Sequence, residues 1–178
     1  WGDDVQFPAL EPVNETLAEV LRGAGYHTAA MHNTSYFSHT AGFFQGFDAV
    51  HEEVGFKEDS GPTAARIVEY LRGRASDPTP FFLWSHLMDA HDPYRDHNSP
   101  RDFGTREVDR YDEELAHADA ALAPVFEALR ELSAQRPVYT FVFADHGEAF
   151  GEHGVYHHSF DLHEAPSPAT SAASAPSP

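Results

Sequence analysis

Asp145 and His146 are adjacent, follow an apolar run at residues 138–143 and precede Gly147. A carboxylate oxygen and an imidazole nitrogen offered side by side suit a divalent metal ion of intermediate hardness. A glycine beside them lets the backbone turn sharply next to an ion. The same pair also fits a plainer role, a helix-capping aspartate next to a surface histidine. The following dozen positions add Glu148, Glu152, His153, His157 and His158, and that density of ligand-type side chains favours the metal. His157 or His158 can reach back over the ion as a substrate-binding cation; taken alone, both also fit exposed loop histidines.

A second group surrounds the apolar run 81–87: His86, Asp89, His91 and Asp92, followed by Pro93 and Tyr94. His91 can pass a proton to a leaving group or bind an anionic oxygen. Equally, Asp89 or Asp92 can satisfy it within a turn. Pro93 and Tyr94 read as loop packing. Tyr111, Asp112, Glu114 and Asp119 read as a solvated helix face with a structural role. Glu11, Glu15, Glu58 and Asp59 read as surface.

Both groups need a scaffold, and the chain's periodicity supplies one. Leu17, Val20 and Leu21 share a helical face after a capping Asn14, and Gly23 and Gly25 end that helix. Residues 26–31 read as a short strand and 32–60 as a long loop. A second helix is expected with Ser60 as its cap, Pro62 near its first turn and Ala65, Ile67, Val68, Tyr70 and Leu71 facing inward. Residues 77–80 form a turn, 81–87 a strand covered on both faces, and 89–106 a loop. A long helix at 107–135 carries Leu115, Ala118, Leu122, Val125, Phe126, Leu129 and Leu132 at helical spacing, with Pro124 as a possible kink. Residues 138–143 read as another buried strand.

This order implies an α/β fold with a mainly parallel sheet flanked by helices. Ligands then sit beyond the carboxyl ends of the strands, where both groups lie. Residues 165–178 contain only Ala, Pro, Ser and one Thr, which predicts a disordered tail.

The bulk properties narrow the function. The chain has 178 residues, a net charge of −18 and 41% apolar residues. Such a negative surface argues against nucleic acid and anionic membranes as partners, and an anionic substrate would need a bound cation to reverse the field. No apolar run is long enough to span a bilayer. Cysteine is absent, which excludes disulfides, thiolate catalysis and Cys-ligated zinc. The 13 histidines are scattered rather than contiguous. No phosphate-binding Gly loop, Gly-x-Ser-x-Gly elbow or His-Glu-x-x-His helix is present.

The segment 143–154, Phe-Ala-Asp-His-Gly-Glu-Ala-Phe-Gly-Glu-His-Gly, followed by His158 and by Asp161-Leu162-His163-Glu164, resembles the sulfatase family within the alkaline phosphatase superfamily. Residues 80–94 are similar to that family's strand and following histidine. Residues 16–29 look like its helix ending in Gly-Tyr-x-Thr, Gly46-Phe47-Asp48 is also familiar, and Tyr111-Asp112-x-Glu114 with Asp119 is similar to its long helix. The resemblance covers about residues 14–164 in one order. It implies an incomplete alkaline-phosphatase-like domain over 1–164 and hydrolysis of sulfate esters, small-molecule or glycan. It makes Asp145 and His146 metal ligands, His91 a proton donor or substrate contact, and His158 the residue on the sulfate. The ion is divalent, with Ca²⁺ or Mn²⁺ foremost: an oxygen-rich shell suits Ca²⁺, whereas a His ligand leans toward manganese or zinc.

The pattern departs from the family at the nucleophile. No Cys, Ser or Thr stands in a Cys/Ser-x-Pro-x-Arg motif, and Ser99-Pro100-Arg101 lacks the spacing. Asp3-Asp4 has no apolar strand before it and takes no assignment. Activated-nucleophile catalysis needs both nucleophile and activator. The chain alone is therefore expected to be inactive, the middle of a sulfatase domain. Two alternatives stand beside this: a phosphoester or phosphonate hydrolase or phosphoglycerol transferase, and a non-catalytic metal-binding module.

Overall fold

The computed structural model describes residues 9–38, 42–53 and 59–158, together with the backbone of 172–174. Its centre is a three-stranded parallel sheet in the order β2-β1-β3, formed by Ala49–Glu52 (β2), His27–His32 (β1) and Phe81–His86 (β3). The helices are α1 (Leu17–Gly23), α2 (Ser60–Arg74) and α3 (Glu107–Ser133). Parallel strands require crossovers, and α2 makes the one from β2 across β1 to β3.

Alternation along β1 and β3 sorts their side chains between two faces. Met31 packs with Ala64, Ile67, Val68 and Leu71 of α2 and with Val125, Ala128 and Leu132 of α3, while Phe81 and Leu83 join this core from β3. The opposite face is aromatic. Phe82 stacks on Phe47 at 5.9 Å, and Trp84 meets Phe37 edge-on at 5.1 Å. His32 stacks on Phe44 at 5.1 Å. Strand 81–86 is thus covered on both sides, as its apolar run predicts.

Two motif segments hold each other on this face. The Thr28 hydroxyl donates to the Gly46 carbonyl at 2.7 Å, and the Asp48 carboxylate accepts the Thr28 amide at 3.0 Å. That amide bond is the leading cause that lowers the Asp48 pKa. Gly46 has φ +90°, and a Cβ there would overlap the α1 backbone at Glu19. Only glycine fits both demands.

Several elements differ from expectation. Thr16, not Asn14, caps α1, because Thr16 and Glu19 form a reciprocal capping box. The expected loop 32–60 contains β2, whose four residues are too short for a periodic signal. Asp59 caps α2 in place of Ser60, and Ala64 rather than Ala65 faces inward. On α3, Leu115 and Phe126 are exposed, whereas Glu113 and Glu114 are buried. The Glu114 carboxylate accepts the Arg95 amide at 2.7 Å and pairs with His97 Nε2 at 2.9 Å, and Glu113 accepts the amides of His97 and Ser99. Glu114 is therefore structural as expected, but it holds the loop before α3 instead of lying on a solvated face.

The largest departure is the run 138–143. Only Thr140–Val142 (β4) is a strand, and Tyr139, Phe141 and Phe143 are 66%, 70% and 67% exposed. It joins no parallel sheet among the described residues. Instead it pairs antiparallel with Ala172–Ser174, part of the expected structureless tail. Val138 packs on the core, but a largely apolar strand is suited to cover on both faces, and the described residues do not supply it to Tyr139, Phe141 and Phe143. Residues 165–171 and 175–178, like Asp3, Asp4, Glu58 and the 161–164 motif, lie outside the described residues.

Candidate metal and substrate site

The carboxyl ends of β1 and β3 are locked together before any reactive group is placed. Asn33, directly after β1, accepts the Met88 amide at 2.9 Å and donates to Asp89 at 3.4 Å. Asp89 also accepts the Ser60 amide at 3.2 Å and the Ser60 hydroxyl. One buried carboxylate thus ties two strand ends to the first turn of α2, where its charge also complements the helix dipole. Asn33 takes no role in the sequence reading because the strand read there ends at Met31, one residue short of the end of β1, and Ser60 is read there only as a helix cap.

Beyond β4, the chain turns through Asp145 and His146 into a small hairpin. Its strands are Ala149–Phe150 (β5) and Tyr156–His157 (β6), joined by a 3-10 turn at Glu152–Gly154. Glu152 accepts the Phe150 amide at 2.6 Å, and Gly151 and Gly154 both have positive φ. The Gly-Glu-His-Gly segment is therefore a turn motif. Phe150 packs on Tyr94 at 5.9 Å and on Tyr111 at 5.2 Å, which docks the hairpin against α3.

This docking brings all four expected site residues to one edge. Asp145 Oδ2 lies 3.8 Å from His146 Nε2. The His146 ring stacks on His158 at 4.2 Å, and His158 meets the His91 ring at 5.3 Å. Each histidine has Nδ1 committed: His146 to the Gly147 carbonyl at 2.9 Å, His91 to the Asp92 carbonyl at 2.6 Å, and His158 to the Glu148 carboxylate at 3.1 Å. A neutral imidazole that donates from Nδ1 keeps an unprotonated Nε2, the tautomer suited to ligation or proton exchange. Asp145 and His146 side chains are 69% and 48% exposed, open to an arriving ion. One carboxylate oxygen and one unprotonated imidazole nitrogen on the same side fit a divalent cation.

Two further groups shape the edge. Glu148 is buried, holds His158 and faces Tyr94. Burial raises the Tyr94 phenol, and the neighbouring Glu148 carboxylate adds to the shift. His86, at the end of β3, is lowered chiefly by burial, with Asp145 opposing and His32, His146 and His91 adding. It therefore sits as a neutral imidazole behind the site.

The sulfatase family model matches residues 4–171. The chain belongs to the sulfatase family. Solved structures of similar fold include the periplasmic domain of phosphoethanolamine transferase EptC from Campylobacter jejuni, with TM-score 0.67 and 21% identity over 86% of this chain and 54% of that one. Lipoteichoic acid synthase LtaP from Listeria monocytogenes gives 0.60 and 19% over 76% and 38%. An alkaline phosphatase superfamily protein from Vibrio parahaemolyticus gives 0.56 and 21% over 71% and 35%. No curated protein sequence matches the chain. This sulfatase-family chain spans between about a third and about half the length of those structures. The expected α/β architecture, a parallel sheet with flanking helices, is thus borne out. No helix among the described residues is long and apolar enough to cross a membrane.

Proposed function

We propose that this chain carries the metal-binding and leaving-group side of a sulfuric ester hydrolase site. The observation that supports it most directly is the convergence of Asp145, His146, His91 and His158 on one edge, with every imidazole held through Nδ1. Asp145 and His146 hold a divalent ion, Ca²⁺ or Mn²⁺ foremost, which when bound neutralises charge on the transferring group. His91 exchanges a proton with the leaving oxygen through Nε2. His158, oriented by Glu148 through Nδ1, binds an anionic oxygen of the ester as an imidazolium, with Nε2–H as the donor. The substrate is a small-molecule or glycan sulfate ester. No residue of the chain stands in the family's nucleophile motif, and Ser60 is committed to Asp89, so the chain alone is expected not to turn over substrate.

A second reading is phosphoester chemistry, hydrolysis or transfer. It is kept open by the Asp145-His146 pair, where sulfatase-family members carry either Asp-His or Asp-Asn, and supported by the fold likeness to a phosphoethanolamine transferase and a lipoteichoic acid synthase. Calorimetry with Ca²⁺, Mn²⁺ and Zn²⁺ tests the shared core of both readings. An ion whose binding is lost in the Asp145→Ala/His146→Ala double variant is expected. Binding untouched by that change would point to scattered surface sites and a non-catalytic module. Inorganic sulfate against inorganic phosphate, titrated into the metal-loaded chain, then separates the two chemistries by which anion shifts the His91 and His158 resonances.

A further inference from the structure

A second group of ligand-type side chains lies beside this edge and shares no residue with it. Asp92 in the turn after β3, Glu107 at the first position of α3 and His157 at the end of β6 each offer one ligand atom, and these atoms lie within 4.8 Å of one another. The three residues are distant in sequence and come from three separate elements. Among the described residues, none of the three side chains takes part in a hydrogen bond or an ion pair. Two carboxylates so close together repel each other, and no Lys or Arg among the described residues pairs with either. The neighbouring Tyr94 senses the same negative field: after burial and Glu148, both Asp92 and Glu107 raise it.

We propose that Asp92, Glu107 and His157 form a second divalent-metal site that clamps the turn after β3 and the β5–β6 hairpin to the first turn of α3. Two carboxylates and one imidazole suit Zn²⁺ or Mn²⁺, with water completing the shell. Ligands about 2.1 Å from an ion stand roughly 3–3.5 Å apart, a closure that small rotamer changes of exposed side chains provide. The clamp has a consequence for the neighbouring edge. Asp92 follows His91 and His157 precedes His158, so the ion fixes the two histidines whose rings lie 5.3 Å apart. The proposal does not depend on the chemistry assigned to Asp145 and His146.

The test is calorimetric titration of the full chain with Zn²⁺ and Mn²⁺ in the Asp145→Ala/His146→Ala background. One saturable ion is expected to remain. His157→Ala or Glu107→Gln added to that background should weaken it by at least about tenfold, and His153→Ala, an exposed histidine on the same hairpin, should not. Far-UV circular dichroism checks that each variant is folded. In the unsubstituted chain, saturating Zn²⁺ should also shift the His157 imidazole resonance. Absence of any saturable ion in the background variant, unchanged affinity on His157→Ala and Glu107→Gln, or an unmoved His157 resonance would each overturn the site. The same ion stoichiometry in the unsubstituted chain and in the Asp145→Ala/His146→Ala background would overturn the proposed function and leave this site standing.

Discussion

Single residues at this edge act through what holds them. His91, His146 and His158 are each fixed at Nδ1, and Glu148, which holds His158, is itself buried. Behind them, His32 and His86 are neutral imidazoles lowered from 6.5 mainly by burial. The unfolded chain therefore takes up protons first as pH falls through about 6.5, while the folded chain does so only at lower pH. Stability from these two groups is complete above that value and is lost progressively below it. Urea midpoints are expected to fall between about pH 7.5 and 5.5, and the slope should be shallower in His86→Gln. An equal slope in the variant would mean that other groups carry the effect.

Elements are joined here by a few buried polar side chains more than by loops. Asp89 links β1, β3 and α2 through Asn33 and Ser60. Asp89→Ala leaves the Ser60 amide and hydroxyl and the Asn33 amide without their acceptor at a buried site. A cost of about 3 kcal/mol is expected, read by urea denaturation, since each unsatisfied buried group costs roughly 1–3 kcal/mol and part of that is recovered by relaxation. Asp89→Asn, which keeps an acceptor oxygen, should cost less. Similar costs for the two variants would show that charge, not bond count, is what α2 needs. Glu113 and Glu114 do the same work for the loop before α3, and the Arg136 guanidinium joins the end of α3 to the turn at Asp77 and Thr79.

At the scale of the whole molecule, the three-stranded sheet and its two packed helices form a core to which β4 does not contribute. Tyr139, Phe141 and Phe143 leave a contiguous apolar strand exposed among the described residues. Exposed apolar strands with unpaired edges associate. The net charge of −18 opposes this at low salt, and salt screens it over a Debye length of about 8 Å at physiological ionic strength. Sedimentation should therefore show concentration-dependent association that strengthens with added salt. Phe141→Lys/Phe143→Lys should abolish it. Association that persists in that variant would place the contact elsewhere.

The amino-acid sequence by itself determined the candidate site residues and most of the scaffold. Asp145-His146, His91 and His158 stand out because ligand-type side chains cluster after apolar runs, and α2, α3 and β3 follow from periodicity. Three things were decided only by tertiary structure. Burial of Glu114 and Glu148 depends on a loop and a hairpin folding over them, which helical spacing cannot report. The joining of Asn33, Ser60 and Asp89 depends on elements distant in sequence meeting at one point. The exposure of Tyr139, Phe141 and Phe143 depends on which partners surround a strand, whereas an apolar run records only the cover its side chains are suited to.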